Sequence, residues 1–125
     1  MLRNAAFRAD VPRPRRRERP WRQPGYIKRL HDLRCVLTMS DSRYVEVHHL
    51  IQHKRKDRKR RDDRLALPLV FYKHAYLHDR DGDELRVFQE GGIPNPYALG
   101  EELWRIYEKG WDRDEAIRAI VEARE

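Results

Sequence analysis

Apolar and polar residues begin to alternate with a period of two along Tyr44-Val45-Glu46-Val47-His48-His49-Leu50-Ile51. That alternation predicts a strand with Val45, Val47 and His49 on one face. A second short strand is expected at Leu65-Ala66-Leu67-Pro68-Leu69. Pro68 cannot donate to a ladder, so it belongs at an edge or at a strand end. A helix is expected over residues 70–79, then a turn at Gly82 and a short strand over 85–88. In the last third the period changes. Leu99, Leu103, Ile106 and Tyr107 recur at helical spacing after Pro94 and Pro96, and Gly110 can end that helix. A final helix has Asp112 as N-cap, Glu115 three residues on and Trp111 placed to pack on Ala116, with Ala116, Ile117, Ile120 and Val121 as its apolar face. Upstream, a short helix is expected over residues 26–33.

Residues 1–24 read as a disordered basic arm, because Pro12, Pro14, Pro20 and Pro24 interrupt any helix and Arg15-Arg16-Arg17 repel one another. Residues 25–125 are then one domain, an α+β fold in which two strands and a helix are flanked by further helices. Hydrophobic residues make up only 39% of the 125, equal to the charged fraction. The core must be thin, and a metal or partner would help to hold it. No apolar run approaches the roughly 20 residues of a membrane span, so no membrane association is expected. The single cysteine, Cys35, permits neither an intrachain disulfide nor a cysteine-only zinc site, which favours an intracellular protein.

Charge is unevenly placed. Of the net +7, residues 1–30 alone carry ten basic and two acidic residues. A second run, Lys54, Arg55, Lys56, Arg58, Lys59, Arg60 and Arg61 around a single Asp57, lies inside a body, residues 31–125, that is nearly neutral as a whole. Such clusters displace counterions from a phosphate backbone and give salt-sensitive binding without sequence choice. Arg15, Arg16, Arg17 and the 54–61 run are therefore candidate nucleic-acid contacts. Trp21 could stack on a base or dock on the domain, and Arg64 and Lys73 are further candidates for a phosphate clamp.

Five of the six histidines fall within residues 48–78. His74 and His78, four apart on an expected helix, present both imidazoles on one face, a geometry suited to one metal ion at about 2.0–2.1 Å. His48 and His49 are neighbours on a strand, so their side chains diverge, and one of them can complete the metal site. Phosphodiester hydrolysis needs a base for water, stabilisation of the charge on phosphorus and neutralisation of the leaving oxygen. A neutral imidazole supplies the first at cellular pH. With His48, His74 and His78 holding a cation, His49 is left to activate water. His31 and His53 read as surface or satisfied residues, His53 with at most a phosphate contact, and Glu46 as a solvated strand residue or else one that orients a ligand.

Val45-Glu46-Val47-His48-His49, then Asp62-Asp63-Arg64-Leu65-Ala66-Leu67-Pro68-Leu69, then Lys73-His74-Ala75-Tyr76-Leu77-His78 resembles the ββα-metal core of HNH (His-Me finger) endonucleases. The His-His and His-x-x-x-His pattern is similar to colicin-type nuclease domains. The resemblance implies His48, His74 and His78 as metal ligands and His49 as general base. It implies Asp63, with Asp62 as the next candidate, at the position that orders the loop. Gly92-Ile93-Pro94 through Ala98 to Leu103-Trp104 also resembles the tail of phage-borne recombination-enhancement (Ref-type) nucleases, so that the likeness covers about residues 26–108. It implies a phage-encoded protein acting in the cytoplasm of a bacterial host, with a recombination protein as partner. Relatives often carry a structural zinc on cysteine pairs. Here Thr38 and Val70 stand where cysteines would be expected, and hydrophobic packing by Val70 and its neighbours is expected instead.

The function expected is thus metal-dependent endonucleolytic cleavage of DNA, with RNA as the other substrate to consider. Three imidazoles suit Zn²⁺ or Ni²⁺ by softness, whereas Mg²⁺ is the plentiful cellular ion. A non-catalytic nucleic-acid-binding module with a structural metal is the alternative. A zinc hydrolase of peptides or small molecules fits less well, since His-Glu-x-x-His is missing and a polycation lies beside the site.

Overall fold

The computed structural model describes residues 22–40, 44–50, 62–79 and 83–124. In chain order these form α1 (Pro24–His31), β1 (Val45–His49), β2 (Ala66–Val70), α2 (Phe71–Asp79), α3 (Glu84–Glu90), α4 (Pro96–Glu108) and α5 (Arg113–Ala123). The fold is α+β: one two-stranded antiparallel sheet among helices. The two expected strands and the expected helices form with their ends displaced by a residue or two, and the turn expected at Gly82 lies outside the described residues. Among the described residues no helix is long and apolar enough to cross a membrane.

The hairpin is the frame of the molecule. His48 faces Leu67 across the ladder and His49 faces Ala66, with Val45 opposite Val70 at the far end. Bonds from Leu50 N–H to the Leu65 carbonyl and from Phe71 N–H to the Tyr44 carbonyl extend the pairing beyond both ends. All five residues of β2 are buried, which explains why its sequence is an unbroken apolar run rather than an alternation. Pro68 pairs with Val47 in the middle of β2, yet the requirement for an edge is met. Its carbonyl accepts from Val36 N–H on the side away from β1. A residue's N and C=O point the same way in a strand, so the missing donor also faces outward. The segment carrying Cys35, Val36 and Leu37 is buried in one core with Leu69 and Val70.

Residues 85–88 are helical, not a strand. Glu84, Val87 and Phe88 are the buried positions of α3, a spacing of three and four that a helix satisfies and a period of two does not. Leu85 and Val87 imitate alternation, but among the described residues neither strand of the hairpin takes a third partner.

The C-terminal helices start and stop as their sequence signals dictate. Asn95 caps α4 by accepting from Ala98 N–H at 3.0 Å, with Pro96 in the first turn. Gly110 follows that helix at φ +114, a backbone region that L side chains avoid. Asp112 caps α5 by accepting from the N–H groups of Asp114 and Glu115. Glu115 then pairs with Lys109 at 2.8 Å. Trp111 packs its ring toward Tyr26 and Tyr107. On α5, Ala116 and Ile120 are buried, whereas Val121 is exposed. Gly100 lets α4 approach the hairpin: a Cβ there would lie 3.1 Å from Leu50 Cδ1 and 3.2 Å from Leu65 Cδ1. That approach brings α4 over the histidine end of the sheet.

Candidate metal and histidine centre

Strand pleating separates the two adjacent histidines. Glu46 and His48 leave β1 on one face and Val45, Val47 and His49 on the other. His48 is buried, 4% exposed, whereas His49 is half-buried. On the His48 side, α2 follows β2 directly and returns its histidines to the strand. The ligand atoms of His48, His74 and His78 lie within 4.8 Å of one another. The rings of His48 and His74 are 5.3 Å apart, and those of His48 and His78 are 6.1 Å apart. Within the helix, the Nε2 atoms of His74 and His78 are 3.2 Å apart. Two ligands at about 2.0–2.1 Å from a tetrahedral ion stand about 3.3 Å from each other. The pair is thus already at ligand spacing, and three neutral nitrogen donors suit a borderline divalent cation.

Each of two imidazoles has its other nitrogen held by a carboxylate. His74 Nδ1 bonds Glu46 Oε1 at 2.8 Å, and His48 Nε2 bonds Glu84 Oε1 at 2.7 Å. Glu46 is therefore more than a solvated strand residue. The arrangement is the one that fixes ring orientation and tautomer around metal-binding histidines. Glu84 is itself buried, 8% exposed, and its second oxygen accepts from the Tyr97 hydroxyl at 2.9 Å. Burial pushes the Tyr97 hydroxyl well up from its ordinary value, and the nearby Glu84 carboxylate adds to this, so Tyr97 stays a donor. Burial also holds the His48 imidazole below its usual pKa, against the opposing pull of Glu84. The neutral ring is the form that can bind a cation.

Across the strand His49 has a different partner. Its Nε2 bonds Asp63 Oδ1 at 2.7 Å, and Asp63 Oδ2 accepts from the Gln23 backbone N–H at 2.7 Å. Asp63 is buried, so its carboxylate is held from both sides. With Nε2 as the donor to Asp63, the lone pair of His49 sits on Nδ1. Asp62 does not share this role; its carboxylate grips Arg64 at 2.7 and 3.0 Å. Arg64 is thus engaged locally. The Lys73 ammonium lies 6.0 Å from the Tyr76 ring centre.

The structure therefore brings together His48, His74 and His78, and separately His49 with Asp63. Arg15, Arg16, Arg17, Trp21, His53 and the run Lys54, Arg55, Lys56, Arg58, Lys59, Arg60 and Arg61 lie outside the described residues. His31 is exposed and bonds the Val45 carbonyl through Nδ1 at 3.0 Å. A depression of about 720 Å³ opens between α1 and α4, and no histidine lines it.

Glu84 and Tyr97 are the site residues that sequence reasoning missed. Glu84 lies 36 positions from His48 and Tyr97 a further 13 from Glu84, so no short motif joins them. The available signal was slight: an acidic residue opening a segment whose next buried positions, Val87 and Phe88, are apolar. Compared with protein-family models, with curated proteins and with solved structures, the chain gives no match in any of the three.

Proposed function

We propose that the chain is a metal-dependent endonuclease that hydrolyses phosphodiester bonds in DNA, of the HNH kind that its sequence resembles. One observation carries the reading: three imidazoles gather within 4.8 Å of one another while the adjacent strand histidine is paired with a buried carboxylate. The first group is a ligand set and the second a base with its orienting partner, and phosphodiester hydrolysis calls for both.

His48, His74 and His78 would hold the divalent ion, Zn²⁺, Ni²⁺ or Mg²⁺. When bound it supplies a Lewis acid for the charge on phosphorus and on the leaving oxygen. Glu46 and Glu84 keep two of those rings in place, and Tyr97 holds Glu84. His49 does the proton work. With Nε2–H committed to Asp63, Nδ1 takes the proton of the attacking water as its oxygen bonds to phosphorus. The phosphorus–oxygen bond on the opposite side breaks, and the departing oxygen is protonated by solvent. Asp63 stabilises the imidazolium that forms, as the carboxylate partner of a catalytic histidine does elsewhere. The polycationic run lies between Leu50 and Asp62, joining the strands at the end that carries both histidines. Its charge would supply contacts to phosphate.

Incubation of the purified protein with supercoiled plasmid and with single-stranded DNA, with and without each metal, tests this. Cutting is expected only with metal. The His49→Ala variant should lose cutting and keep metal binding, whereas His74→Ala should lose both. A wild-type protein that binds DNA but cuts neither substrate with any metal would be a binding module with a structural ion.

A further inference from the structure

On α2 the apolar side chains are not where a packed helix keeps them. Leu77 faces the core, but Phe71 is 51% exposed, Tyr72 50% and Tyr44, just before β1, 62%. The three rings touch in series, Tyr44 to Phe71 at 5.9 Å and Phe71 to Tyr72 at 5.6 Å between centroids, both edge to face. Together they form an aromatic strip on the outside of the molecule. Large exposed apolar patches mark interaction sites more often than they mark idle surface.

Its position gives the strip a meaning. Phe71 precedes His74 by three residues and His78 by seven, so all three project from one side of α2, within about 60° of each other. Along the axis, Phe71 stands about 4.5 Å from His74. The strip therefore begins, at Phe71, one helical turn from the clustered histidines, and Tyr72, about 160° round the helix from His74, carries it away from them. Every base presents a π-face, and exposed aromatic rings are the usual platform for bases freed from pairing. Paired bases in a duplex keep those faces stacked on one another and hidden. Lys73, between Tyr72 and His74, offers a cation to a phosphate, and the chain's attraction for a polyanion comes from the basic residues of 1–30 and 54–61.

We propose that Phe71, with Tyr44 and Tyr72 on either side of it, stacks unpaired DNA bases of the strand that leads to the cleaved phosphate. The substrate class is then single-stranded DNA, or a duplex locally opened. This rests on the nuclease reading for the location of the phosphate, but its test does not depend on cutting.

The test is fluorescence anisotropy of a short labelled DNA strand, and of the same sequence as a duplex, titrated with full-length protein in EDTA. Phe71→Ala and Tyr72→Ala are each expected to weaken single-strand binding by roughly tenfold, given the known worth of base–aromatic stacking. Duplex binding should change far less. Phe71→Trp should retain strand affinity while Phe71→Leu loses it, because stacking needs a ring and not merely an apolar group. Both side chains are half exposed, and circular dichroism of each variant verifies the fold. Equal losses on strand and duplex, no loss at all, or full affinity in Phe71→Leu would overturn the proposal. So would a wild-type dimer, seen by sedimentation, that Phe71→Ala converts to monomer, since the face would then be covered by a second copy. A protein that never cuts yet shows the ring-dependent strand preference would retain the platform and lose only the nuclease.

Discussion

Two side chains in contact with the histidines decide the most specific expectations. Asp63 holds His49 Nε2 at 2.7 Å, and an amide there can turn its NH₂ toward the ring and reverse the tautomer. Asp63→Asn should therefore lower the cleavage rate with saturating metal by about 10²- to 10⁴-fold, the range that a positioned general base contributes. Metal affinity measured by calorimetry should stay near that of wild type. Glu84→Gln acts on the other side of the strand. It keeps the shape and removes the charge that orients His48, so the affinity for Zn²⁺ should fall about 10- to 100-fold. Tyr97→Phe should cost less, because Glu84 keeps its bond to His48. A Glu84→Gln protein that binds Zn²⁺ as tightly as wild type would remove Glu84 from the metal centre.

Secondary structure was legible wherever one physical signal acted alone. β1 alternates, α4 and α5 repeat at helical spacing, and Asp112 announces its helix. Asp112→Ala should destabilise the fold by about 1 kcal/mol, read as a drop of a few degrees in Tm by differential scanning calorimetry. Legibility failed where two signals overlapped. Leu85 and Val87 alternate as in a strand, while Glu84, Val87 and Phe88 repeat as in a helix, and only the absence of a neighbouring strand decides between them. The histidine cluster was readable because His74 and His78 sit one turn apart within a single element and β1 supplies the third. Glu84 and Tyr97 were not, because a buried carboxylate needs a partner that only tertiary folding provides.

The whole molecule joins a small core to a charged periphery, and pH acts on the first while salt acts on the second. Burial depresses the His48 pKa in the folded state, whereas the unfolded chain titrates near 6.5. Below that value the unfolded state binds more protons than the folded one, so stability present above pH 6.5 is lost as pH falls through the folded pKa. Chemical denaturation of the metal-free protein across pH 7.5 to 5 should show the midpoint falling, and His48→Gln should flatten that fall. DNA affinity should decline steeply with salt, and replacing Lys54, Arg55 and Lys56 by Gln should reduce the slope of log affinity against log salt by about 1 per residue that touches phosphate. The Glu84 carboxylate meets a strand imidazole and an α4 hydroxyl at the same time, so a cation on His48 would stiffen α3 and α4 as well as the hairpin. Hydrogen exchange should then slow on loading with Zn²⁺ at amides well outside the coordination sphere, Val87 and Leu99 among them. A chelator would loosen turns that never touch the ion, and the occupancy of one small site would be felt along α3 and the first turns of α4.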